Sequence, residues 1–189
     1  GFSGGAGYTT DLELSGDAAY LFVSYVGGVN KFVAATGAPA TGNPAFSDSV
    51  SDVCRLGTAM LAVGTFQTVN GTTHPKVARF DKTSGTLVPW TTTFAGVGAP
   101  SGVSTCARAG STIFLGSGVM IVNGVWHTGV VAVDWRTGAV DPWDPAQDGT
   151  SCSVHVFGTR LIVRGNFVNI SGVRRPKIAI YDLSPVPFQ

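Results

Sequence analysis

GTFQTVNGTTHPKVARFDKTSGTLVPW, residues 64–90, carries the fold, because the chain repeats its pattern. GNFVNISG at 165–172 lies over GTFQTVNG at 64–71 at a distance of 101 positions, and the register continues without a gap through HPKVARFD and RPKIAIYD. SGVMIVNGVWHTGVVAVDWRTGAVDPW at 117–143 follows the first copy by 53 positions, placing Asn123-Gly124 on Asn70-Gly71, Asp134 on Asp81, Gly138 on Gly85 and Trp143 on Trp90. A period near 50 residues marks a supersecondary unit that buries its apolar face only against its neighbours.

The first unit is degenerate. Gly16 to Ser24 follows Gly57 to Gly64 with one extra residue, Lys31 to Gly37 stands where Lys76 to Gly85 stand without the Asp, and the intervening hairpin loop is shorter. Phe2 follows the phase at which units end (Phe46, Trp90, Trp143), and Pro187-Phe188 reaches that phase again. The expectation is a single domain over 1–189 made of four units, at approximately 2–46, 47–93, 94–143 and 144–188.

Each unit reads as four short antiparallel strands. In the second, Val53 to Leu56 ends at Gly57-Thr58, Ala59 to Phe66 is an apolar β-rich run, Asn70-Gly71 opens a loop, Lys76 to Asp81 alternates, and Thr83-Ser84-Gly85 turns into Thr86 to Trp90. No stretch between units keeps apolar spacing of 3.6 over three turns. Tandem four-stranded meanders are the blades of a β-propeller, so the expected fold is all-β, a propeller of four four-stranded blades.

The recurring Gly64, Phe66, Val69, Gly71, Ala78, Asp81, Gly85 and Trp90, with their counterparts Val122, Gly124, Asp134, Gly138 and Trp143, and Gly165, Phe167, Gly172, Ala179 and Asp182, resemble the bacterial delta-60 type of propeller repeat. The resemblance implies a secreted or cell-surface propeller without an assigned activity and with more blades than four. A weaker likeness joins Ala132 to Gly138 plus Trp143 to the tryptophan-docking repeat of quinoprotein propellers. Trp90 and Trp143 are then blade-packing residues, and no cofactor is expected.

The phase also bears on closure. Every blade is completed locally, so no terminal strand serves as a latch; either four blades close by side-chain packing, or the chain is half of a larger ring completed by a second copy, a partner chain or a removed segment.

With 12% charged residues and net charge +1, the chain has no electrostatic basis for nucleic-acid binding. The longest apolar run, Ala18 to Val26, is far short of the roughly 20 residues of a membrane helix. A Thr/Ser/Gly-rich surface suits an extracellular or cell-surface location. Cys54, Cys106 and Cys152 open the first strands of units two to four; they are either buried small hydrophobes or partners in a disulfide, and the odd count leaves at least one thiol free or bonded to another chain.

Chemistry-bearing candidates are sparse. His74 and His127 occupy nearly one repeat position and are expected to cap loops; His155, near Cys152, reads as a core-strand residue sooner than as half of a nucleophilic pair. Asp81, Asp134 and Asp182 stand before turns whose N–H groups they cap. Asp141, Asp144 and Asp148 have no recognised counterparts and, beside Trp143, are the candidates for sugar or calcium contact. Asn70 and Asn169 head glycosylation sequons, a reading second to the Asn-Gly turn. Trp126, in a loop, has apolar area to bury on a partner. The expected function is a non-catalytic binding or assembly module meeting a protein or glycan through rim loops, with Trp126, His127, His74, Arg175, Asp141 and Asp144 as binding candidates; the alternative is a carbohydrate-active enzyme at the channel mouth.

Overall fold

The computed structural model describes residues 8–95, 102–149 and 152–184. The chain divides into two compact units, Gly1–Pro89 and Trp90–Gln189, each holding two of the four sequence repeats. In the first unit lie β1 (Thr9–Leu14), β2 (Tyr20–Tyr25), β3 (Gly28–Val33), β4 (Val50–Leu56), β5 (Ala59–Gly64), β6 (Thr68–Val69), β7 (Thr72–Thr73) and β8 (Val77–Asp81). In the second lie β9 (Phe94–Ala95), β10 (Val103–Ala109), β11 (Thr112–Val122), β12 (Val125–Asp134), β13 (Cys152–Phe157), β14 (Arg160–Gly165), β15 (Asn169–Ile170), β16 (Val173–Arg174) and β17 (Ile178–Asp182). There is no helix among the described residues, hence none long and apolar enough to cross a membrane.

The main sheets are antiparallel meanders, β1-β2-β3 and β4-β5-β8 in the first unit, β10-β11-β12 and β13-β14-β17 in the second. The expected fourth strand is reduced to a single bridge, Phe32 to Pro39, Phe80 to Leu87 and Val133 to Val140. Proline explains the brevity: Pro39 itself, and Pro89 and Pro142 two residues beyond the other bridges, offer no N–H to continue a ladder. The fourth strand expected at Pro187-Phe188, like Phe2, lies outside the described residues.

Successive strand residues point to opposite faces, and within each unit one face of the first sheet packs on the other face of the second. In the first unit the leading face of sheet one, with Phe22 and Val29, covers the trailing face of sheet two, with Val53, Met60, Ala62 and Ala78. In the second unit Phe114, Val130 and Ala132 cover Val154, Leu161, Val163 and Ala179 in the same way. Burying a side chain of this size contributes about 1.5–3 kcal/mol, so these two clusters are the main source of cohesion inside each unit.

Aromatic contacts join the two sheets within each unit. Phe22 meets Phe80 edge-on at 5.9 Å, and Phe46 meets Phe66 at 4.8 Å. Trp143 contacts Phe114 at 5.8 Å and Tyr181 at 5.3 Å, joining the two sheets of its unit as the expected packing residue. Trp90 lies 5.8 Å from Phe94, the two rings tilted by 39°.

Candidate functional site

The 101-residue register extends beyond the strands. Ser47 Oγ accepts the backbone N–H of Gln67 and Thr68, each at 3.0 Å, and Asp148 Oδ1 accepts those of Val168 and Asn169 at 2.8 and 3.0 Å. His74 N–H donates to Gln67 O and Arg175 N–H donates to Val168 O, both at 3.0 Å. Lys76 and Lys177 share φ of 70°, and each donates its N–H to a phenylalanine carbonyl, Phe66 or Phe167. Gly28 packs against Phe46, while at Gly129 a Cβ would fall on the side chain of Gln147. Each member of the second unit stands 101 positions after its partner.

The hairpin turns are clamped by one device. Asn70-Gly71, Asn123-Gly124 and Ser171-Gly172 have positive φ at both residues, the signature of a type I′ turn. Asn70 and Asn123 each exchange two bonds with the linker before their own sheet: Asn70 N–H to Ala45 O and Ala45 N–H to Asn70 Oδ1, both 2.8 Å; Asn123 N–H to Thr93 O and Thr93 N–H to Asn123 Oδ1, 3.0 and 2.8 Å. Asn70 Nδ2 donates to Gly85 O at 3.2 Å and Asn169 Nδ2 to Asp148 Oδ2 at 2.7 Å, so each amide nitrogen already spends one of its two N–H groups on the fold.

The acidic residues are held by backbone. Asp81 Oδ1 accepts Thr83 and Ser84 N–H, Asp134 Oδ1 accepts Arg136 and Thr137 N–H, and Asp182 Oδ1 accepts Ser184 N–H and its hydroxyl. These bonds hold all three carboxyls below the usual carboxylate range, for Asp134 against an opposing effect of burial. Asp141 accepts Trp143 N–H and Asp144 accepts Ala146 N–H, as Asx turns. Asp148, expected to stand alone, has a counterpart in Ser47, and Asn43-Pro44-Ala45 matches Asp144-Pro145-Ala146 at the same offset. Two N–H bonds and Asn169 hold the Asp148 carboxyl low.

Cys54 and Cys106 are disulfide-bonded, and Cys152 is a free buried thiol pushed up to about 12 by burial. His155 is exposed, not a core-strand residue. Three positions after Cys152 on one strand, it projects from the opposite face, so the two make no catalytic pair. A cleft of about 390 Å³ in the second unit is lined by Arg108, Gly110, Ser111, Val156, Thr159 and Leu183 among others, with no carboxylate among its lining residues.

One feature has no partner at the 101 offset. The β2–β3 connection is the tight turn at Gly27, whereas β11 and β12 run on to a tip at Asn123-Gly124, where Val125 is 58% and Trp126 61% exposed. Ile121 pairs with Trp126 across the hairpin and with Ala95 of β9 on its other edge, which fixes the arm. His127, next along the strand, is half-buried and faces away from Trp126. His74 is half-buried and Arg175 exposed at their hairpin bases. Valines 168 and 173 are exposed in the corresponding loop of the last sheet.

Sequence reasoning missed Lys31. Its side chain is buried, with Nζ 4.7 Å from the Tyr20 ring centroid, donating to Lys82 O at 3.1 Å and Thr83 O at 2.6 Å, a cation that ties sheet one to the turn of sheet two. Burial lowers its pKa and nearby Asp81 opposes that shift. The signal was present, since a lysine sits on a strand amid Val29, Phe32 and Val33.

No protein-family model and no curated protein matches the chain. Among solved structures it is similar to the computationally designed Ika4 protein, with TM-score 0.62 and 12% identity over 97% of this chain and 96% of that one. It is similar to the RRP9 WD40 repeats with TM-score 0.61 and 10% identity over 95% of this chain and 52% of that one, and to U3-55K with 0.60 and 11% over 95% and 53%. The fold is a β-propeller fold, and the chain spans about half the length of these last two chains.

Proposed function

We propose that this chain is a non-catalytic, extracellular or cell-surface binding module whose β11–β12 hairpin presents Trp126 and Val125 to a protein partner. The observation that carries this reading is the exposure of both side chains at the tip of an arm that the first sheet of the other unit replaces with the tight turn at Gly27. Exposed tryptophan on a braced arm gives a partner large apolar area at little entropic cost. Disulfide-bonded Cys54 and Cys106 support an oxidising compartment. The binding role of Asp141 and Asp144 is weakened by their commitment to backbone N–H groups.

The test probes wild-type and Trp126→Ala chains against a cell-surface protein array and a glycan array, with a polysaccharide hydrolysis assay alongside. The expected result is protein ligands weakened about tenfold or more by Trp126→Ala, with no turnover. Turnover abolished by Asp141→Asn or Asp144→Asn, or binding indifferent to Trp126→Ala, would overturn it.

A further inference from the structure

Sheet faces at equivalent register positions differ sharply in cover. Val29 opposite Ser24, Val130 opposite Gly116 and Ile178 opposite Arg164 occupy one place on the leading face of sheets one, three and four. Val29 is 3% exposed and Val130 1%, each beneath the next sheet of its unit, whereas Ile178 is 52% exposed. Ile180 and Phe157 are exposed on the same face of the last sheet.

The trailing face shows the converse. Leu12, Val53 and Val154 occupy one place there, opposite Val23, Ala62 and Val163. Val53 is 2% exposed and Val154 5%, each covered by the leading face of the preceding sheet in its unit, whereas Leu12 is 58% exposed and Leu14 is exposed beside it. Among the described residues the chain therefore carries one uncovered leading face, where Phe157, Ile178 and Ile180 lie beside exposed Arg160, Arg164, His155 and Asp182, and one uncovered trailing face bearing Leu12 and Leu14. These are the two halves of the contact it already makes within each unit.

From this complementarity we infer that the leading face of the last sheet, with Ile178, Ile180 and Phe157, docks on the trailing face of the first sheet, with Leu12 and Leu14, of a second copy of this chain. The occupant is argued from the internal precedent: sheet one on β4-β5-β8 and β10-β11-β12 on β13-β14-β17 use these register positions, and a second copy offers them again. The contact is heterologous, head to tail, so it builds a closed ring of copies or an open filament, not a two-fold face-to-face pair. It is independent of the Trp126 arm, which belongs to neither face.

The experiment is sedimentation velocity of the full chain across a micromolar concentration series, with Leu12→Glu, Ile180→Glu and Trp126→Ala. All three substitutions are at exposed positions, and circular dichroism checks that each variant stays folded. Wild type and Trp126→Ala are expected to assemble beyond one chain. Leu12→Glu and Ile180→Glu, each burying an unpaired charge, are expected to run as single chains, with association weakened about 100-fold. Mixing the two variants is the decisive arm: each retains one intact face, so they are expected to form a complex of one copy each and stop there. A wild type that stays a single chain, a Leu12→Glu chain that still assembles, or a mixture that does not associate overturns the proposal. Should either variant unfold, Leu12→Ser and Ile180→Ser give the same comparison, with smaller losses expected and assembly at wild-type strength contradicting it.

Discussion

Among the described residues the two compact units share one arrangement of strands and turns, and their most exposed difference is one arm. Ser47 and Asp148, Phe46 and Gln147, and Lys76 and Lys177 each stand 101 positions apart and make matching contacts, while Asn70 and Ser171 share the turn conformation but bond to Ala45 and Pro145, positions that do not correspond. The contacts persist although side chains change from hydroxyl to carboxylate or from phenyl to amide, so the backbone arrangement is what repeats. The first blades differ in one arm, a tight turn at Gly27 against the long β11–β12 hairpin bearing Trp126. What is shared holds the sheets together; what differs is free to meet something else.

The strongest way to break the comparison is at the strand-three turns. Gly85 has φ of 71°, and a Cβ there would lie 2.2 Å from Gly42 O, with backbone on both sides; Gly37 has φ of 69° and open space. Gly85→Ala is expected to cost about 3 kcal/mol or more and Gly37→Ala about 1 kcal/mol, by denaturant unfolding. Equal costs would mean that the close approach of Gly42 and Gly85 is not tight in solution.

A smaller effect separates the paired clamps. Ser47→Ala removes one acceptor for two N–H groups and is expected to cost about 1 kcal/mol. Asp148→Ala is expected to lower the midpoint of thermal unfolding further, because it also loses Asn169 Nδ2, and Asp148→Ser is expected to recover part of the loss. If Asp148→Ser behaves like Asp148→Ala, the two positions are not equivalent.

Acid sharpens the contrast. Asp81, Asp134, Asp148 and Asp182 are all held below the usual value, so their contribution is complete above the unfolded carboxylate range, about pH 4. It is lost as pH falls through the lower folded values. Three of the four lie in the second unit, and Asp148→Ser is expected to flatten the acid limb of a stability-against-pH curve; an unchanged limb would remove Asp148 from the account. The least perturbing test is chemical: native chain should give no reaction of Cys152 with a thiol reagent at neutral pH, and unfolded, unreduced chain should give one thiol.

Much of this was legible in the sequence. The repeats, the Asn-Gly turns and the capping role of Asp81, Asp134 and Asp182 follow from spacing and turn chemistry, and Trp143 sits where its repeat position places it. The linkers were less legible, because the match of Ser47 to Asp148 and of Asn43 to Asp144 joins different residue types that perform one task, accepting backbone N–H. The position of Lys31 is set by carbonyls 51 and 52 residues away, and no local pattern encodes such a contact. His155 looked like a core residue because its strand is apolar, yet its face is the uncovered one.

The central claim is that the Trp126 arm serves binding and not the fold. The direct measurement is titration of an array-identified protein ligand against wild-type and Trp126→Ala chains of matched folded fraction. The account predicts affinity about tenfold weaker or worse, with unfolding free energy changed by no more than about 0.5 kcal/mol. Unchanged affinity, or a loss of affinity that only tracks a loss of stability, would contradict it.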